Sequence, residues 1–184
     1  SFGCSTFVTI IEAFVFLLKN TKMIPILLLG KTKQITELQA KLANNVDINV
    51  AVNEQVNATY QLIIDTDFDD NLQRMEQYAR LENTVVMVSA VRRQLAESVA
   101  KSKVQNVKCC FVGFNALPTF INRPLWEVSF YRSSDFPILD QLLQNLNLPY
   151  KTVADRVGLV TPRIVCMIIN EAFYALQENI ASRE

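Results

Sequence analysis

The chain has 184 residues, half of them hydrophobic and a fifth charged, and its eighteen basic and eighteen acidic residues cancel. A chain of this length buries one good core, and zero net charge gives no electrostatic case for nucleic acid or an anionic membrane as the main partner. There is no histidine, and the four cysteines (Cys4, Cys109, Cys110 and Cys166) lack metal-ligand spacing, so the expectation is no metal site and buried free thiols in a reducing, cytoplasmic setting.

Phe7 to Leu18 is the first apolar run. It is twelve residues long and contains Glu12, against the roughly 20 residues a bilayer span needs. It has neither the basic start nor the small-residue cleavage pattern of a signal peptide. Residues 1–22 therefore read as an N-terminal extension carrying an extra helix. From Ile24 apolar runs alternate with amphipathic stretches. Ile26–Leu29 is a strand that turns at Gly30, and Thr32–Ala43 is a helix through Ile35, Leu38 and Leu42. Asp47–Val52 and Tyr60–Thr66 are strands, and a helix through Leu72, Met75, Tyr78 and Ala79 follows. Thr84–Ala90 is a strand, Val91–Lys101 a helix and Val107–Phe114 a further strand, on which Cys109 and Cys110 point to opposite faces. Strands apolar on both faces and separated by helices predict an α/β fold, a mostly parallel sheet with helices on both faces.

The pattern then changes. Leu125–Tyr131 reads as a strand, Ser133-Ser134-Asp135 as a helix N-cap region, Phe136–Leu146 as a helix and Tyr150–Asp155 as a last strand. Pro162 sits in the first turn of a final helix, where a missing N–H costs little. That helix is expected to run to about Ala181 with no cap. It carries an apolar stripe through Val165, Ile168, Ile169, Ala172, Phe173 and Leu176. The boundaries are thus 1–22 for the extension, 23–157 for the sheet domain and 158–184 for the start of a helical domain.

Two motifs carry a family resemblance. Gly158 to Ser182 begins with a Gly-hydrophobic-Val-x-x-Arg run and leads into a helix bearing Asn170-Glu171-Ala172, and Leu125-Trp126-Glu127-Val128 precedes it. This resembles the junction with the helical domain in the 3-hydroxyacyl-CoA dehydrogenase family. The resemblance extends over residues 24–184, with a helical excursion of the family deleted between Val52 and Tyr60. It implies a reduced Rossmann-like domain, NAD as cofactor, an acyl-CoA ligand and a homodimer. By position it makes Gly30 the first glycine of the dinucleotide turn, with Lys31 beside it. It sets Asp65 at the end of a strand that finishes in Glu in the family, and Ser89 at a substrate-contacting hydroxyl. Glu127 stands where the family's glutamate orients the catalytic histidine, and Asn170 keeps the position of the helix asparagine.

The departures are chemical. Gly30-Lys31-Thr32-Lys33-Gln34-Ile35 keeps one glycine of three, and close approach of backbone to pyrophosphate requires glycine. Val52 is followed by Asn53 and then Glu54, where the family has an acid for the adenosine ribose. Anchoring on Asn115 puts Val112 at the histidine, and valine accepts no proton. The reading is a degenerate relative without hydride transfer, acting as a structural or acyl-CoA-binding subunit, paired with itself or with an active paralogue. The rival is an active NAD-dependent oxidoreductase with an atypical site. Glu127 is either functional or a buried carboxylate satisfied by Asn170 or by backbone. Lys31 and Lys33 either attract a phosphate at the helix N-terminus or belong to a solvated turn.

Overall fold

Seven strands form one sheet in the order β2-β1-β3-β4-β5-β6-β7 in the computed structural model, which describes residues 24–42, 46–50, 56 and 59–182. The expected N-terminal helix, Cys4 and the Asn53-Glu54 strand end lie outside the described residues. The strands are β1 Ile24–Leu29, β2 Val46–Val50, β3 Leu62–Asp65, β4 Val85–Ser89, β5 Cys110–Phe114, β6 Trp126–Phe130 and β7 Tyr150–Thr152. β2, β1, β3, β4 and β5 are parallel. β6 runs antiparallel to β5, and β7 parallel to β6. The α/β, mostly parallel architecture is the one expected.

The alternation of each strand sorts the core into two layers. Ile26, Leu28, Leu62, Ile64, Val85, Met87 and Val112 face one side, where α1 (Thr32–Leu42) and α4 (Phe136–Asn145) bring Leu38, Leu139 and Leu143. Leu27, Ile63, Val86, Val88 and Phe111 face the other, against Tyr78 of α2 (Met75–Ala79) and Leu95 and Val99 of α3 (Leu95–Lys101). Cys110 and Cys109 divide between these two layers, as their adjacency requires. Each fully buried aliphatic side chain stabilises the fold by roughly 1.5–3 kcal/mol.

Several element bounds differ from expectation, each for a local reason. The helix after β3 starts late: the chain makes two 3-10 turns, Phe68–Asp70 and Leu72–Arg74, before α2, with the Asn71 amide bound to the Asp67 carbonyl and carboxylate. α3 starts at Leu95 because the N–H groups of Val91 and Arg92 point at the Asp69 carboxylate and Gln94 is extended. Its first turn is capped from a distance by Asp155, which accepts from the N–H groups of Leu95 and Ala96. The Ser133-Ser134-Asp135 segment is a 3-10 turn with no side-chain cap, since Asp135 is buried and pairs with Arg132. The last helix, α5, spans Thr161–Gln177. It ends earlier than expected because Asn179 takes a left-handed φ of 58°, and the Ile180 N–H closes back on the Ala175 carbonyl. Among the described residues no helix is long and apolar enough to cross a membrane.

Candidate functional site

The strand order reverses at β1, which has β2 on one side and β3 on the other. In open α/β sheets that point marks the crevice at the carboxyl ends of the strands. Gly30 turns the chain there with φ 130°. A β-carbon on Gly30 would lie 2.0 Å from Thr66 Oγ1. Thr66 is buried and donates from its N–H and its hydroxyl to the Leu29 carbonyl, at 2.9 and 3.2 Å. The space that the glycine leaves open is therefore filled by the protein's own threonine. Lys31 reaches Asp70 at 3.2 Å and Asp67 at 3.4 Å, and its pKa is raised chiefly by the bond to Asp70. Two carboxylates thus stand beside the N-terminus of α1, where a pyrophosphate would need a positive field. Lys33 is exposed. These residues do not fit a dinucleotide held on this turn.

The other residues expected around the crevice are also engaged internally. Asp65 is fully buried; it accepts from Tyr78 OH at 2.6 Å, from Arg74 Nη1 at 3.0 Å to each oxygen, and from the Asp67 N–H. Burial raises its pKa, while Tyr78, Arg74 and the Asp67 N–H pull it back. Burial, then Asp65, pushes the Tyr78 hydroxyl well above its ordinary value. Ser89 donates to Asp69 Oδ2 at 2.9 Å, and the N–H groups of Val91 and Arg92 complete a pocket of donors around that carboxylate. Asp70 bonds Lys31 and Arg92, which lowers its pKa, Arg92 first.

Val112, which the resemblance sets at the family's histidine, lies in the core. Val112 is fully buried mid-strand, between Met87 of β4 and Phe130 of β6. Three residues on, the antiparallel register brings Asn115 beside Glu127, and both line a cavity of about 230 Å³. Its walls include Phe120, Pro124, Leu125 and Trp126, with Arg123 and Thr161 as further polar members. Asn115 accepts the Leu117 N–H at 3.2 Å, and among the described residues no side chain accepts from its amide. Trp126 donates to the Ile121 carbonyl at 2.9 Å, and Lys41 lies over its ring, 5.2 Å from the centroid, while bonding the Ile121 and Arg123 carbonyls. Burial lowers the Lys41 pKa.

Glu127 is satisfied by the start of α5, not by Asn170. Its carboxylate accepts from the N–H groups of Thr161 at 2.8 Å and Val160 at 3.2 Å, and from the Thr161 hydroxyl. Asn170 is exposed and nine residues further along the helix, about 14 Å from its start at the rise of an α-helix. The structure thus brings Glu127 and Asn115 together, separates Asn170 from them, and keeps Gly30, Lys31, Asp65 and Ser89 out of that cavity, engaged near the carboxyl ends of β1, β3 and β4. Sequence reasoning missed Thr66, Asp69, Thr161 and the Lys41–Trp126 contact. Only the acidic run Asp67–Asp70 after a buried strand was a visible signal.

No protein-family profile matches the chain, and no curated protein matches it. Solved structures do. An (S)-3-hydroxybutyryl-CoA dehydrogenase from Ralstonia eutropha matches at a TM-score of 0.62 and 16% identity, over 88% of this chain and 74% of that one. A 3-hydroxyacyl-CoA dehydrogenase from Archaeoglobus fulgidus matches at 0.65 and 10%, over 86% and 66%. A 3-hydroxybutyryl-CoA dehydrogenase from Escherichia coli matches at 0.62 and 11%, over 87% and 44%. At such identities the likeness is one of architecture: this chain has the Rossmann-like fold of the 3-hydroxyacyl-CoA dehydrogenases.

Proposed function

We propose that the protein is a 3-hydroxyacyl-CoA dehydrogenase-like subunit of acyl-CoA metabolism that binds a short acyl group and carries out no hydride transfer. The observation that carries this reading is the state of Glu127. Among the described residues it is the cavity's one carboxylate, in a chain without histidine, and its oxygens are taken up by the α5 N-terminus. Among the described residues no general base is therefore free at the cavity. A cavity of about 230 Å³ is below the roughly 300–1,000 Å³ of sites that enclose a whole drug-sized ligand. It suits the acyl tip of a thioester, with the carbonyl oxygen on the Asn115 amide and Arg123 at the rim. The unpaired thiols Cys109 and Cys110 fit a reducing cytoplasm.

Trp126 lines the cavity and is the only tryptophan in the sequence, so its emission reports occupancy. Titration with acetoacetyl-CoA should change that emission, and added NADH should not be consumed. NADH oxidation near 1 s⁻¹, an ordinary enzymatic turnover, would establish the second reading, an NAD-dependent oxidoreductase with an atypical site. That alternative is favoured by Asn115, Glu127 and Thr161 meeting on one cavity. No response to the thioester at all would remove the acyl-binding reading.

A homodimer through α5 belongs to the same proposal. Ile168 and Phe173 are 64% and 60% exposed, and Ile164, Met167, Ile169 and Tyr174 are exposed beside them. A helix apolar round most of its circumference is built for burial among other helices. A second copy supplies an identical face, and a two-fold pairing of such helices is self-complementary.

A further inference from the structure

α5 leaves the sheet as an arm. Pro162 is its only buried residue, and every side chain from Arg163 to Tyr174 is exposed. Just before it, Gly158 and Leu159 take successive left-handed conformations, with φ 78° and 47°. Leucine rarely adopts such a φ, and it holds here with its side chain almost fully buried. The Gly158 N–H is tied to the Val91 carbonyl, so the chain is anchored up to the bend. Among the described residues the only side-chain hydrogen bonds or ion pairs joining α5 to the sheet are those that Glu127 accepts from Thr161, with Val160 just ahead of the helix. The acceptor is an anion at the positive end of a seventeen-residue helix, which strengthens the tie.

From these contacts we infer that Gly158–Leu159 is a hinge and Glu127 its latch: the carboxylate sets the direction of α5, and the cavity it lines is mechanically joined to the arm. The bend supplies two adjacent backbone positions able to absorb a change in direction. The latch is a group facing two ways, towards the Val160 and Thr161 donors and towards the cavity shared with Asn115 and Trp126. A hydroxyl or amine that enters the cavity and donates to Glu127 competes with the helix for the same oxygens. The device does not depend on which ligand the cavity takes, nor on whether the protein catalyses a reaction.

The test compares the full chain with Glu127→Ala, Glu127→Gln and Thr161→Val by hydrogen exchange. In the parent, the Val160 and Thr161 amides and the first turn of α5 should be protected. Glu127→Ala should speed their exchange by about tenfold or more, the scale of a lost charged helix cap. Thr161→Val should have a smaller effect, and Glu127→Gln one in between. Strands Leu62–Asp65 and Val85–Ser89 should exchange as in the parent. Unchanged exchange at α5 in Glu127→Ala, or equal loss of protection in the strands, overturns the latch. Direction is read separately, in a Phe173→Asp background that leaves α5 unpaired, from spin-label distances between Cys166 and Lys101→Cys at the end of α3, with Cys4→Ser. One narrow distance in the parent and a broad distribution in Glu127→Ala support the hinge. A narrow, unshifted distance in the variant refutes it.

Discussion

The Ser89 hydroxyl donates to Asp69 Oδ2 at 2.9 Å, joining the end of β4 to the turn that follows β3. The same carboxylate accepts the Val91 and Arg92 N–H groups, so one nearly buried anion orders the whole β4–α3 connection. Asp69→Ala leaves these donors without a partner, and unpaired buried donors cost about 1–3 kcal/mol each where water does not replace the bond. The expected loss in urea unfolding is about 2–4 kcal/mol, with Asp69→Asn milder because an amide oxygen still accepts. A loss below about 0.5 kcal/mol, the size of an ordinary surface change, would show that the donors find other partners.

Gly30 has two independent reasons to be glycine, its φ of 130° and the Thr66 hydroxyl 2.0 Å from where a β-carbon would go. Gly30→Ala is expected to destabilise by about 2–4 kcal/mol, which for a chain of this size is a fall in Tm of about 4–16 °C. Combining it with Thr66→Gly should recover part of that loss, because the clash is relieved while the φ strain stays. Equal melting of the single and double variants would mean that Thr66 is not what fills the turn.

Burial raises the Asp65 carboxyl above its ordinary value of 3.8, despite the opposing bonds from Tyr78 and Arg74. Between 3.8 and the raised value the folded state keeps a proton that the unfolded state has lost. The contribution of Asp65 to stability is therefore greatest below 3.8 and falls as pH rises through that window. Asp65→Asn does not titrate, so the stability of the parent relative to this variant should decline as pH rises across the window. A parent that gains on the variant over that range would show that Arg74 and Tyr78 outweigh burial. Tyr78→Phe should cost about 1–3 kcal/mol at neutral pH, leaving Asp65 Oδ2 short of one donor.

Burial pushes the thiols of Cys109 and Cys110 up to about 12, while Cys166 is exposed on α5. Thiolate is the reactive form. Iodoacetamide at mildly alkaline pH should modify the peptide containing Cys166 in the monomeric Phe173→Asp variant and spare the Cys109–Cys110 peptide until denaturant is added. Peptide mass mapping decides it. Early modification at Cys109 or Cys110 would mean that the β4–β5 region opens far more readily than its burial implies.

The pairing of two copies through α5 predicts about twice the chain mass of 20.9 kDa by light scattering at micromolar concentration. Phe173→Asp places a charge on the exposed apolar face and should return the monomer mass with the sheet's stability unchanged. A parent that already runs as a monomer removes the proposal.

How far the sequence could be read follows from the range of the forces involved. Periodicity and apolar runs are local properties, and they gave the strand and helix succession, the two-faced burial of Cys109 and Cys110, and the parallel sheet. The Leu125–Val128 and Asn170–Ala172 motifs pointed to the dehydrogenase fold that the solved neighbours share. The absence of histidine was also legible. The partners of the polar groups were not legible. Asp155 caps a helix that starts 60 residues earlier, and Glu127 caps one that starts 34 residues later. Thr66 occupies the room beside Gly30 from across a strand pair. No spacing rule encodes such pairings. A buried donor or acceptor takes whichever partner the folded chain brings within hydrogen-bonding distance, and only the packed sheet, with β6 reversed against β5, decided that Glu127 would meet the start of α5 and that Asn170 would point away from it into solvent.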